Sequence, residues 1–219
     1  MKGREDLEEK EERMRFPEDE ERFEWLPLLL ESYFIVDGGV ERGVARDIKE
    51  KGRVVACKEG CVSCCRYNKD IPLYPHEMVG IYWYAVEKVK DPARATLRQR
   101  LKTGGRAGEC PFLIDASCVI YPMRPTACRH FVVFDNPCRE GEDPYYTRRD
   151  DLYTPLEENT DRAFMAALPF YGIKSEADKV MVIKNKLIHA QVQNLMEIGW
   201  SGLIEAMDDF DARKGKTAG

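Results

Sequence analysis

Four of the chain's eight cysteines stand within "CKEGCVSCC", from Cys57 to Cys65. The other four follow at Cys110, Cys118, Cys128 and Cys138. At 219 residues the chain is long enough to bury an apolar core without covalent staples. The thiols are therefore not a substitute for a core, as they are in very small secreted scaffolds. The opening "MKGREDLEEK" has no apolar h-region, so a signal peptide is not expected. The longest apolar run, "WLPLLLESYFIV", is too short and interrupted to span a bilayer. A cytoplasmic chain with no membrane partner is the expectation. In a reducing compartment, clustered thiols serve metal binding or redox chemistry more often than disulfides.

The spacing bears on which. Cys61-x2-Cys64 lets two thiolates meet one metal from a tight turn whose amides are free to hydrogen-bond the sulfurs. Adjacent Cys64 and Cys65 are awkward partners for one small tetrahedral ion, because neighbouring side chains diverge. Eight thiols can fill two four-coordinate sites, or supply four ligands to a cluster such as [4Fe–4S] and leave the others as structural or redox groups. Neither a ferredoxin spacing nor a plain zinc ribbon is present. The two groups are expected to converge, since neither alone makes a complete site.

Charge has a location. Residues 1–24 carry eleven acidic and six basic residues, and the remainder carries 28 of each sign. The body has no basic bias, so no nucleic-acid partner is expected. The division expected is an acidic, flexible segment over 1–24, one cysteine-cluster metal-binding domain over 25–212, and a frayed tail over 213–219.

Periodicity predicts a mainly α fold: helices flanking two irregular cysteine-rich metal-binding loops, with little or no β-sheet. A helix over 5–15 should stop at Pro17. Apolar stripes from Trp25 to Ile48 predict a helical pair bent at Gly38-Gly39. Pro75 suits a first helical turn, with Met78, Tyr82, Ala85 and Val89 on one face. Asp91-Pro92 ends that helix and "PARATLRQRLK" starts another. "FVVF" (131–134) suits a short strand. Ser175 with Asp178 resembles a capping box opening a long helix through Met196, and a last helix follows Gly199. "DPYYTRRDD" (143–151) is expected to cover the core.

Taken together, "CKEGCVSCC" and "CPFLIDASCVIYPMRPTACRHF" resemble the YkgJ-like cysteine-cluster (CxxCxxCC) family, described as zinc- or iron-chelating. The matching positions are Cys57, Cys61, Cys64, Cys65, Glu77, Cys110 to Leu113, Cys118, Ile120-Tyr121, Arg124-Pro125 and Cys128-Arg129. The gap between Cys57 and Cys61 is x3 where x2 is usual, and Cys138 lies outside the core motif. The flagellin lysine methylase shares the cysteine pattern distantly and carries an iron–sulfur association. No glycine-rich strand-to-helix signature for S-adenosylmethionine is present.

The resemblance and the thiols together imply a metal-binding cysteine-cluster protein. It would hold an iron–sulfur cluster, such as [4Fe–4S], or zinc. The expected ligands are Cys57, Cys61, Cys64, Cys65, Cys110, Cys118 and Cys128, with Cys138 as an outlying eighth. The alternative is a redox or group-transfer metalloenzyme of the methyltransferase-like kind. Arg124 and Arg129 are expected beside the thiolates as counter-charges, Glu77 as a supporting acid, His130 as a possible mixed ligand, and His76 and His189 as structural.

Overall fold

A computed structural model of the protein describes residues 12–104 and 107–217. The expected helix over 5–15 lies largely outside them, and residues 12–16 are non-helical. Pro17 opens a helix instead of stopping one: α1 spans Pro17–Arg22. At the first turn a proline sacrifices only an N–H that has no helical partner there. The described part of the acidic segment is docked. Phe16 meets Trp83 edge-on, ring centroids 5.0 Å apart, and buried Asp19 pairs with Arg22 and Lys88.

The expected helical pair is one helix, α2 (Trp25–Lys51), which buries Leu26, Leu29, Leu30, Tyr33 and Val36. Its glycines serve close approach, not a bend. A Cβ at Gly39 would lie 3.0 Å from the Asn159 side chain, and one at Gly43 would lie 2.5 Å from the Tyr153 hydroxyl. That hydroxyl donates to the Gly39 carbonyl at 3.1 Å.

Beyond α3 (Ser63–Tyr67) and the two-residue strand β1 (Pro72–Leu73) comes α4 (Pro75–Trp83), with Pro75 in its first turn as expected. It passes into a π-helical stretch, Tyr84–Lys88, before α5 (Ala93–Thr103). The wider turn moves the buried face off the expected stripe. Ala85 and Val89 are buried, but Glu77, Gly80, Ile81 and Trp83 replace Met78 and Tyr82 as the deep positions of α4. Strands β2 (Leu113–Ile114) and β3 (Ser117–Cys118) form a hairpin, and α6 (Thr126–His130) and α7 (Pro144–Thr147) follow. "FVVF" contributes only isolated bridges, Phe134 to Val55 and Val133 to Leu152.

Helix α8 (Glu157–Ala167) packs along α2, and α9 (Glu176–Lys184) is capped by Ser175, whose hydroxyl accepts the Asp178 N–H at 3.1 Å. The helix expected to run on through Met196 ends early. Lys186 takes left-handed φ of 55°, and the chain turns through Leu187–Gln191. Strand β4 (Gln193–Asn194) then pairs with β1. Asn194 accepts the Ile71 N–H at 3.1 Å and Leu195 donates to the Ile71 carbonyl at 2.9 Å. These tertiary bonds outweigh local helical propensity. Helix α10 (Ser201–Thr217) starts after Gly199 and buries Leu203 and Met207. It takes in the part of the expected frayed tail that is described.

The main core joins α2 to Ile81, Leu97, Phe112, Met123, Leu203 and Met207. A smaller one gathers Tyr74, Phe164, Leu168, Val182 and Ile188. His76 and His189 border it, bonded to the hydroxyls of Tyr171 (2.6 Å) and Tyr74 (2.7 Å). The fold is mainly α, with two two-residue ladders. Among the described residues no helix is long and apolar enough to cross a membrane.

Candidate metal centre

Both cysteine groups open onto one cavity of about 1010 Å³, and all eight thiol residues line it. The first group begins as irregular chain. Gly60 supplies a left-handed turn (φ 76°) that lets the Cys61 amide reach the Lys58 carbonyl at 3.0 Å. Cys64 and Cys65, read as loop from sequence, fall in α3. Successive helical residues point about 100° apart. The expected divergence is incomplete: the Cys64 and Cys65 thiols are hydrogen-bonded to each other, Cys65 packs against the main core, and Cys64 is close enough to Cys118 and Cys128 to act on them electrostatically.

The second group is tied to the first through the backbone. The Cys110 amide donates to the Cys65 carbonyl at 2.7 Å. From there the β2–β3 hairpin returns the chain, so that Cys118 pairs with Leu113. Its two-residue turn is Asp115-Ala116, both left-handed at φ 47° and 55°. That is the backbone a tight hairpin needs, although glycine and asparagine usually supply it.

Sulfurs here receive amide hydrogens. The Phe112 and Ile120 amides, each two residues on, act to lower the Cys110 and Cys118 thiols. The Val133 N–H donates to Cys57 Sγ at 3.4 Å. Such donors stabilise a thiolate by spreading its charge. Burial acts oppositely. It raises the Cys57, Cys118 and Cys128 thiols above their ordinary value, Cys110 to about 12 and Cys138 to about 11. Cys64 is raised first by its hydrogen bond with Cys65 and then by burial. A cation in the cavity would reverse that balance.

Cys128 is placed by Glu77. This fully buried carboxylate accepts the Tyr74 N–H (3.1 Å) at the start of α4 and the Thr126 N–H (2.7 Å) at the start of α6, the helix that carries Cys128. Burial raises Glu77 above the ordinary carboxylate range, and those two bonds pull it back.

The two arginines flanking Cys128 part company. Arg129 is buried over the Tyr33 ring (3.8 Å) and donates to the Arg124 and Pro122 carbonyls and to Asp37. It clamps the α6 turn and has no fork left for a thiolate. Arg124 lines the cavity, and its charge favours the Cys118 thiolate. His130 lines it too, held neutral by burial with its acid dissociation lowered to about 4. His76 and His189 do not line it. Tyr145 and Tyr146, expected over the core, are exposed at the cavity's edge. Tyr121, Phe131 and these two tyrosines went unread as site residues, because spaced aromatics in an irregular stretch carry no motif.

The donor set suits a thiophilic metal, and the amide-to-sulfur bonds suit thiolate ligation. The thiols stand around the wall and do not form a closed shell. Among the described residues no three His, Cys, Asp or Glu side chains are drawn together as a group able to hold a metal ion.

Residues 56–151 match the family model CxxCxxCC, whose description is "putative zinc- or iron-chelating domain". This segment is similar to the CxxCxxCC family. The match takes in all eight cysteines, so Cys138 and the x3 gap after Cys57 both fall inside the CxxCxxCC segment. The family description supports a metal-binding role, with zinc or iron as the metal. No curated protein and no solved structure matches the chain.

Proposed function

We propose that this protein holds an iron–sulfur cluster through thiolates from its two cysteine groups, with Cys57, Cys61, Cys64, Cys65, Cys110, Cys118, Cys128 and Cys138 as the available ligands. The observation that carries the reading is the convergence of all eight on one cavity with backbone amides aimed at several sulfurs. Eight thiols exceed the four that one zinc ion takes. When bound, a cluster would supply electron transfer or a site for activating a ligand. The chain's own part is to orient thiolates through Glu77 and the hairpin, and to balance charge with Arg124.

Zinc is the second reading, and the donor chemistry alone supports it equally. A redox or group-transfer enzyme of the kind related to flagellin lysine methylase draws its support from the size of the cavity, which exceeds what a metal needs. Cytoplasmic residence accords with reduced thiols.

Anaerobic purification followed by iron, zinc and acid-labile sulfide analysis tests the reading. Brown protein with matching iron and sulfide that bleaches in air is expected. Colourless, air-stable protein with stoichiometric zinc would replace the cluster by zinc.

A further inference from the structure

One part of the cavity wall is made for something other than a metal. The Arg124 guanidinium carbon stands over the Tyr121 ring, 4.2 Å from its centroid. Its Nε is buried without an acceptor, and no hydrogen bond or ion pair engages its guanidinium among the described residues. Arg149, the other arginine lining the cavity, stands over the Tyr145 ring, and four arginines outside the lining are taken by carboxylates. Arg53 meets Asp135, Arg100 meets Glu109, Arg129 meets Asp37, and Arg148 meets Glu142.

Buried or bonded carboxylates at the cavity are likewise spoken for. Asp143 accepts the Lys69 and Tyr145 amides, and Asp70 accepts from Tyr146 and Asn194. A guanidinium backed by a ring, planar by its own resonance and with its fork unpaired, is set up for bidentate recognition of a carboxylate. The same cavity wall carries apolar surface at Phe131, Pro125 and the Tyr121 ring. At about 1010 Å³ the cavity stands at the upper end of small-molecule sites, which run about 300–1,000 Å³.

We infer that the cavity binds a small organic acid beside the thiols, its carboxylate on the Arg124 fork and its apolar body against Tyr121, Phe131 and Pro125. The planar Arg124 fork beside the Tyr121 ring matches a carboxylate on a carbon skeleton, and inorganic phosphate is the competing anion that Lys58 and Arg149 elsewhere on the wall would favour. The site stands on Arg124 and the cavity wall, and it does not depend on which metal the thiols hold or whether they hold one.

Calorimetric titration of the full chain with benzoate, benzamide and inorganic phosphate tests it, with metal measured on the same samples. Benzoate should saturate in the millimolar range or below. Benzamide, of the same shape without the charge, should bind about tenfold or more weaker. Arg124→Gln should weaken benzoate to a similar degree, and Tyr121→Leu should weaken it a few-fold. Line broadening or shift of the Arg124 side-chain N–H signal on adding benzoate to the unaltered protein would locate the site even if a variant failed to fold. Equal affinity for benzamide, binding of phosphate alone, or no benzoate binding overturns the inference. A sample without metal that still binds benzoate through Arg124 leaves it standing and counts only against the metal centre.

Discussion

The Cys110 amide donates to the Cys65 carbonyl at 2.7 Å, across all of α4 and α5. This bond joins the last cysteine of the first group to the first cysteine of the second. It makes the two loops one unit and sets the terms for what metal removal should do.

Metal binding and folding are coupled where a metal must deprotonate and hold together thiols that burial otherwise keeps protonated. Stripping metal should lower the melting temperature. It should also speed amide exchange over residues 57–65 and 110–128, while α10 changes least. Exchange measured by mass spectrometry on loaded and stripped protein checks this, and an unchanged pattern in both segments would refute the coupling.

Glu77 bridges the starts of α4 and α6 through two backbone donors. Glu77→Gln keeps one acceptor and turns a donor toward a buried N–H. A loss of about 1–3 kcal/mol is expected in denaturant unfolding, with reduced metal loading because α6 carries Cys128. Full stability and full loading in the variant would leave Glu77 without the positioning role assigned to it.

Much of this was legible from residue pattern. The helical class, the Pro75 start and the Ser175 cap all follow from local chemistry. What was not legible depends on distant partners. Gly38-Gly39 looks like a bend until Asn159 and Tyr153 are seen against the α2 glycines. Val182 through Met196 has helical spacing, but β1 captures Asn194 and Leu195. Arg129 and Arg124 are equivalent in sequence, and only Asp37 and Tyr33 reveal that the first is a clamp.

Gly43 tests the close approach of Tyr153 to α2. Gly43→Ala would press a methyl group into a buried, hydrogen-bonded ring. Overpacking of this kind costs about 1–3 kcal/mol. Gly38→Ala, which would meet only the flexible Arg42 side chain, should be near neutral or stabilising. Equal effects at the two positions in urea unfolding would contradict the packing account.

His76 is buried beside Tyr171, with its acid dissociation lowered by burial to about 3. Between about pH 6.5 and 3 the unfolded chain therefore binds a proton there that the folded chain refuses. Stability falls as pH drops through that window, by up to about 1.4 kcal/mol per pH unit from this residue. His76→Phe should flatten the slope of unfolding free energy against pH below 6, whatever it does at pH 7. An unchanged slope would mean that His76 is protonated in the fold.

The central claim is that one metal centre draws ligands from both cysteine groups. Its most direct test is the metal-to-protein ratio of anaerobically purified protein carrying Cys64→Ser, set against the same ratio for Cys118→Ser and for the unaltered chain. Each single change is expected to remove most of the metal, because each breaks the same centre from a different side. Full metal retained in either variant, with the other depleted, would mean that one group binds metal alone and would contradict the shared site.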